Sequence, residues 1–354
     1  MTHFEKIAAQ LNDRGLDAML ITSEPGEFYA VGFHGEGAAL ITPDKTWYYT
    51  DSRYIEAAQQ LITGAEVADW APGGGFRKLI AGLVKEHGIV KLGFEERYMS
   101  VASHTEWTKA VEAEFVPASE LLTQLRQVKD ADELAAMREA QRITDEALLE
   151  ILNFIRPGLT ESEVAARLTY IMARKGAERN SFDPIVACGA NGSKPHAVPG
   201  PAVIEKGQFV TMDFGCVVGG YCSDMTRTVA VGKPTEEMEL VYNTVLKAQL
   251  AGIAVAKAGV TGKEVHEAGA KVIADAGYGE YFGHGFGHSL GIEIHEDPGF
   301  HTRNDKPIPA GALLSAEPGI YLPGRFGVRI EDVIMLTEGG CIDITHSPKQ
   351  LIIL

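Results

Sequence analysis

Across the first third of the chain, short unbroken apolar runs alternate with stripes at helical spacing, a pattern that predicts alternating strands and helices. A helix from Phe4 to Arg14 precedes an apolar strand, Ala18-Met19-Leu20-Ile21. Ala39-Leu40-Ile41-Thr42 and Thr46-Trp47-Tyr48-Tyr49-Thr50 flank Pro43-Asp44-Lys45 and predict a hairpin. A helix from Tyr54, a strand at Glu66-Val67 and a helix after Gly73-Gly74-Gly75 complete an α/β unit over residues 1–124.

The patterning changes near Leu125-Arg126-Gln127-Val128-Lys129, and a second domain is expected over 125–354. A long helix starting at Asp130 or Asp132 would turn Leu134, Met137, Leu148, Ile151 and Ile155 inward. Thr160-x-x-Glu163 and Thr261-x-x-Glu264 are matching capping boxes, opening helices that run toward Gly176 and Gly277. Downstream of each, Lys206-Gly207-x-Phe209-Val210-Thr211-Met212-Asp213 is echoed by Ala310-Gly311-x-Leu313-Leu314-Ser315-Ala316-Glu317. Two copies of a helix-then-hairpin unit predict pseudo-twofold halves rather than a solenoid.

Both hairpins carry acids inside apolar strands. Phe209 to Asp213 and Tyr221 to Val231 return on one another, and a turn centred on Val218-Gly219 sets Asp213 directly opposite Asp224. Opposite residues share a face, with Cβ atoms about 5 Å apart. In the second hairpin, Ala312 to Glu317 returns as Gly327 to Ile334 after Pro323-Gly324, which brings Glu317 opposite Glu331. Arg329 shares that face, where it would hold Glu331 ionised, contact a substrate or form a plain salt bridge. Unpaired carboxylates in apolar strands are costly, so a ligand role outweighs two solvated aspartates. The glycine-rich run Gly283 to Gly291 lacks the ending of a phosphate loop, and Ile292 to His295 alternate as a strand would.

The chain has 354 residues and a formal net charge of −16, with 32 basic against 48 acidic residues, which argues against nucleic-acid or anionic-membrane partners. No apolar stretch reaches 18 residues and the N-terminus lacks a basic start, so no signal peptide or membrane span is expected. Cys188, Cys216, Cys222 and Cys341 show no close pairing and fit a reducing, cytoplasmic compartment. Cys222 shares the expected face of Asp224. Asn191-Gly192-Ser193 matches a glycosylation sequon that would be idle there.

Four carboxylates and one imidazole, Asp213, Asp224, Glu317, Glu331 and His288, form an oxygen-rich set that suits a pair of divalent Mn, Co or Zn ions better than one structural zinc. Their order and frames (Met212-Asp213-Phe214-Gly215, Ser223-Asp224-Met225-Thr226-Arg227, Gly283-His284-Gly285-Phe286-Gly287-His288, Ala316-Glu317-Pro318-Gly319 and Arg329-Ile330-Glu331-Asp332) resemble the dinuclear metallopeptidases of the pita-bread fold, in particular Xaa-Pro aminopeptidases and prolidases. Residues 1–124, with Thr50-Asp51-Ser52-Arg53-Tyr54, look like the creatinase-type N-terminal domain of that family.

The resemblance implies an α+β chain: an α/β N-terminal domain, then a pseudo-twofold antiparallel sheet with flanking helices. It implies that His288 is the single imidazole ligand, that His295 contacts substrate or tetrahedral intermediate, and that His196 closes over the scissile bond. Glu317 resembles the family's proton shuttle, and a water bridging two ions would be the nucleophile. His284 and His301 are read as structural or merely solvated. The substrates implied are proline-containing peptides, and the assembly implied is a homodimer. Some dipeptidases of the family carry arginine after His-Glu-x-Pro, whereas His295-Glu296-Asp297-Pro298 here ends in Gly299, with Arg303 nearby. That departure favours an Xaa-Pro aminopeptidase over an Xaa-Pro dipeptidase. Methionine aminopeptidases normally lack so large an N-terminal domain, and creatinase-like or inactive peptide-binding relatives have usually lost several of the carboxylates retained here.

Overall fold

A computed structural model describes residues 1–354. The chain divides into two compact units, Met1–Arg126 and Gln127–Leu354. The first is built on β1 (Ala18–Ile21), β2 (Ala38–Ile41), β3 (Thr46–Thr50), β4 (Glu66–Asp69), β5 (Lys91–Phe94) and β6 (Glu114–Pro117), in the order β4-β3-β2-β1-β5-β6. The β1–β2 and β2–β3 pairs are antiparallel and the others parallel. Six helices accompany the strands: α1 (His3–Leu11), α2 (Glu24–Val31), α3 (Ile55–Leu61), α4 (Phe76–Glu86), α5 (Val101–Ala110) and α6 (Ser119–Gln127). Leu20, Leu40, Trp47, Ile80, Val84 and Trp107 pack into one core. The expected helix to Arg14 is shorter: α1 closes at Leu11 and a 3-10 turn continues to Arg14 before Gly15 at φ 64°.

The second unit opens with α7 (Ala131–Ile151), which Asp130 caps through the amides of Asp132 and Glu133. Met137, Leu148 and Ile151 are buried on it, while Leu134 is only half-buried. The helix α8 (Glu161–Arg174) follows its Thr160 capping box. Next come β7 (Arg179–Asn180), β8 (Ile185–Cys188), β9 (Gln208–Phe214), β10 (Cys216–Val218), β11 (Tyr221–Cys222) and β12 (Met225–Val231). Then α9 (Glu236–Val255) and α10 (Gly262–Asp275), the latter behind the Thr261 capping box, open the second half. It continues through β13 (Gly287–Ser289), β14 (Glu296–Phe300), β15 (Leu313–Ala316), β16 (Gly319–Leu322), β17 (Phe326–Arg329), β18 (Asp332–Thr337) and β19 (Gly340–Asp343).

The two halves repeat closely. Helices α8 and α10 are both 14 residues long, and the capping residues Thr160 and Thr261 each form an antiparallel bridge, to Val203 and Pro307. The strands assemble as β12-β9-β8 in the first half and β14-β13-β15-β18-β19 in the second. Apolar faces sort accordingly: Leu148, Val164, Leu168, Met212 and Met225 form one core, and Val265, Phe286, Phe300, Leu314 and Ile334 another. The chain is thus α+β, with its carboxylate-bearing strands at the junction of two related halves.

Candidate metal centre

Asp213 lies near the end of β9, the central strand of its sheet, where Thr226 of β12 is its partner on one side and Ile185 of β8 on the other. The expected direct pairing of Asp213 with Asp224 is therefore corrected. Gly219 and Gly220, at φ 55° and 77°, form the two-residue turn, so Val218 pairs with Tyr221 and Asp224 is set two residues beyond the position opposite Asp213. A displacement of two keeps the face, because side chains alternate with period two. Asp224 and Asp213 are diagonal neighbours. The strand expected from Tyr221 to Val231 also breaks at Ser223-Asp224.

The second ribbon keeps the expected register. Ala316 pairs with Asp332 and Gly319 with Arg329, so Glu317 and Glu331 stand opposite one another between the two paired stretches. There the strands part and bond outward: the Glu317 amide donates to Phe286 O (2.8 Å) and the Glu331 amide to Thr226 O (3.1 Å). This second bond stitches the two ribbons together. His288 enters from β13. A Cβ on Gly287 would meet Ser315 O at 1.9 Å, so only glycine lets β13 approach β15 closely enough to deliver it.

All five side chains line one cavity of about 590 Å³. One ligand atom each from Asp224, His288 and Glu331 lie within 4.8 Å of one another. His288 Nε2 stands 3.5 Å from Asp224 Oδ2 and 3.3 Å from Glu317 Oε1. Burial pushes the His288 pKa down, and its Nδ1 lies 3.1 Å from Ser289 O. A neutral ring donating there presents the Nε2 lone pair to the acids. Burial, followed by mutual repulsion, raises the proton affinities of Asp224 and Glu331 well above the usual carboxylate range, and burial raises that of Glu317.

Arg329 is the cation against this cluster, and its partner is Asp213 (Nη2–Oδ2 2.5 Å) rather than Glu331. It reaches Glu331 through Thr226: Arg329 Nε donates to Thr226 Oγ1 (2.9 Å), which donates to Glu331 Oε2 (2.7 Å). Its Nη1 donates to Tyr321 Oη (3.0 Å) and Pro195 O (3.1 Å). One guanidinium cannot balance four carboxylates. Asp213 Oδ1, Asp224 Oδ1 and Glu331 Oε1 are buried without any protein hydrogen-bond partner. Such oxygens need partners that the chain does not supply, and an oxygen-rich donor set with one imidazole fits divalent cations.

The remaining expected residues are placed around this floor. His295 packs edge-on against His288 with ring centroids 4.4 Å apart, but Gly291–His295 is a series of bends and not the expected strand. His196 is an exposed side chain on the cavity wall, next to Pro195 whose carbonyl Arg329 holds. His284 and His301, read as structural, both line the cavity. His284 Nε2 stands 2.9 Å from Tyr321 Oη and Nδ1 2.8 Å from Gly285 O, which extends the Arg329 network. Nothing in the sequence marks His284 off from other histidines beyond its glycine frame. The Cys222 thiol points to Ile292 O and burial pushes it up to about 12; it does not line the cavity.

A further residue escaped sequence reasoning. Glu161, fully buried at the start of α8, accepts from the amides of Cys188 and Gly200 and from the Asn191 side chain, and so clamps the loop that carries His196. Asn191 of the sequon is committed to that clamp. Pro184, Ile185, Pro195, Val198 and Ile294 give the cavity an apolar lining beside the acids.

Residues 135–338 match Metallopeptidase family M24, and residues 4–128 match the Creatinase/Prolidase N-terminal domain. A solved Xaa-Pro dipeptidase from Bacillus anthracis is 44% identical, with a TM-score of 0.95 over 99% of both chains. The X-Pro aminopeptidase from Thermotoga maritima is 37% identical, with a TM-score of 0.91 over 96% of this chain and 98% of that one. The Xaa-Pro dipeptidase of Pyrococcus horikoshii is 33% identical over 98% of both sequences. The pita-bread arrangement expected from the sequence is the fold these structures share with the chain.

Proposed function

The chain belongs to metallopeptidase family M24 and carries a creatinase/prolidase N-terminal domain, and from that premise we propose that it is a dinuclear-metal Xaa-Pro aminopeptidase, releasing the residue that precedes proline. Asp213, Asp224, His288, Glu317 and Glu331 would hold two divalent ions of the Mn, Co or Zn kind. The supporting observation is the three buried carboxylate oxygens, one each on Asp213, Asp224 and Glu331, that no protein donor reaches. When bound, such ions polarise the scissile carbonyl and make water at the site more acidic.

The chain's own groups would do the rest. Glu317, beside His288 at the cavity floor, carries a proton from the attacking water to the leaving proline nitrogen, which has no N–H of its own. His295 and His196, on the cavity walls, donate hydrogen bonds to the developing oxyanion, a contribution of about 3 kcal/mol in hydrolases generally. Arg329 fixes Asp213 and the Pro195-His196 turn and keeps one Nη2 hydrogen for substrate. The apolar wall of Pro184, Ile185 and Val198 suits a pyrrolidine ring, and the water it excludes strengthens each polar contact at the floor.

Substrate length is where the rival reading differs. Gly299 offers no side chain, and the His301 ring fills the space beside it: a Cβ there would meet His301 Cδ2 at 2.8 Å. The absence of a fixed guanidinium after Pro298 supports longer peptides. Arg303 on the cavity wall, together with the dipeptidases among the relatives, favours an Xaa-Pro dipeptidase instead. We expect kcat/KM to be higher on Xaa-Pro-Xaa tripeptides than on Xaa-Pro dipeptides, measured with Mn, Co and Zn in turn. A higher value on the dipeptides selects the rival. No helix is long and apolar enough to cross a membrane. The four free thiols support action in the cytoplasm, and a homodimer is the assembly we propose.

A further inference from the structure

Behind the carboxylates lies a second polar cluster that the proposed reaction does not use. Thr226-Arg227 of β12 and the Glu331-Asp332 step leading into β18 run side by side, joined by the Glu331 amide and Thr226 O. Alternation splits each pair of residues between two faces. On the cavity face Thr226 Oγ1 bonds Glu331 Oε2. On the reverse face Arg227 Nη2 bonds Asp332 Oδ1 at 2.7 Å, with both side chains 1% exposed or less.

Arg227 does more than pair with Asp332. Its Nη1 donates to the backbone carbonyls of Thr226 (3.0 Å) and Glu331 (2.5 Å), its Nε to Pro348 O (2.9 Å), and its Nη2 also to Ser347 O (2.9 Å). Every N–H of the guanidinium is committed. Asp332 Oδ2 accepts from Gln249 Nε2 of α9 (2.8 Å) and pairs with Lys349 Nζ (2.5 Å). The tail bearing Ser347 and Lys349 is in turn tied to α7, where Asp145 accepts from the Ser347 amide and hydroxyl.

We propose that Arg227 and Asp332 are positioning residues that set the spacing between the two ribbons, and through it the grip of Asp224 and Glu331 on divalent cations. This rests on the metal-site reading above. The physical reason is that Asp224 and Glu331 belong to different ribbons, while the carbonyl fixed by Arg227 is that of Glu331 itself. A planar fork that holds both strands and the tail at once permits one separation only. Lys349 closes the cluster from outside, so loosening it should relax the same joint to a smaller degree.

The test is isothermal titration of Mn²⁺ into metal-stripped wild type, Arg227→Lys and Lys349→Met, with the melting temperature of each stripped protein as the control. Arg227→Lys keeps the charge and loses the fork; we expect its Mn²⁺ affinity to fall about 10- to 100-fold, the usual range when groups supporting a ligand are changed. Lys349→Met should weaken binding severalfold. Affinities equal to wild type, with only the melting temperature lowered, overturn the proposal and leave the metal site intact. If Arg227→Lys does not fold, Lys349→Met decides: weaker binding supports the proposal and unchanged binding overturns it. A wild type that takes up no ion defeats the metal reading itself, and this inference with it.

Discussion

Both units of the chain bury carboxylates, and those of the N-terminal unit and those of the cavity floor are treated in opposite ways. In the N-terminal unit Glu95 Oε2 accepts from the amides of Thr22 and Ser23, and Oε1 from the Ser23 hydroxyl. Glu27 accepts from the amides of Gly35 and Gly37 and from the Tyr48 hydroxyl. On the cavity floor of the second unit, Asp213, Asp224 and Glu331 each keep a buried oxygen with no donor. Burial of an acid is therefore no mark of a site by itself. The mark is an unmet need, since a buried charge lacking partners persists only where something outside the chain supplies them. Glu161 and Asp145 sharpen the lesson: they lie in the catalytic unit, are buried and fully bonded, and serve to hold loops.

Exchanging the acids of the two classes tests that contrast, and the largest effect is expected on the floor. Glu331→Gln or Asp224→Asn should abolish peptide hydrolysis, while the metal-stripped variants melt no lower than wild type. Removing an uncompensated buried charge relieves repulsion and should stabilise the stripped protein by about 1–3 kcal/mol. A stripped variant that melts well below wild type would break the comparison. Glu95→Ala should do the reverse: three donors lose their acceptor, at about 3 kcal/mol of stability, with Mn²⁺ uptake unchanged in calorimetry.

A pH series probes the bonded class by itself. Burial raises the Glu95 carboxyl above its ordinary value of 4.5, so the folded state binds its proton more tightly than the unfolded chain does. That contribution is fully present below 4.5 and is lost as pH rises through the elevated folded value. Glu95→Gln should remove this decline from the melting profile, with or without metal. A decline equal to that of wild type would mean that another group titrates. The smallest effects belong to bonded polar groups that do not line the cavity. Thr160→Ala and Thr261→Ala should each cost about 1 kcal/mol by loss of a cap, to similar extents in the two halves, and leave kcat untouched.

Much of this architecture was legible beforehand because it rests on local rules. The Thr160 and Thr261 boxes announce their helices through Glu three residues on, and both helices form as read. Glu317 and Glu331 meet because alternation on either side of Pro323-Gly324 leaves one register that buries the apolar face. The Asp213–Asp224 register was misread by the placement of a single turn: Val218-Gly219 and Gly219-Gly220 are both plausible hairpin loops, and two glycines able to take positive φ select the second. Ile292 to His295 alternates like a strand yet bends, since the Gly291 amide bonds back to Glu293 O within the segment.

What the sequence determined alone was the inventory and its order: two domains, a duplicated helix-and-ribbon unit, and five candidate metal ligands spaced so that ribbons could gather them. The tertiary structure decided which groups are satisfied. Arg329 could have neutralised Glu331 or met substrate; packing across β9, β12 and β17 gave it to Asp213 and left oxygens on three acids bare. Arg227 and Asp332, one step along the chain from residues that face the cavity, look ordinary in their frames and become a buried joint only when the two ribbons meet. Hydrogen-bond satisfaction depends on neighbours brought from about a hundred residues away. No local pattern encodes it.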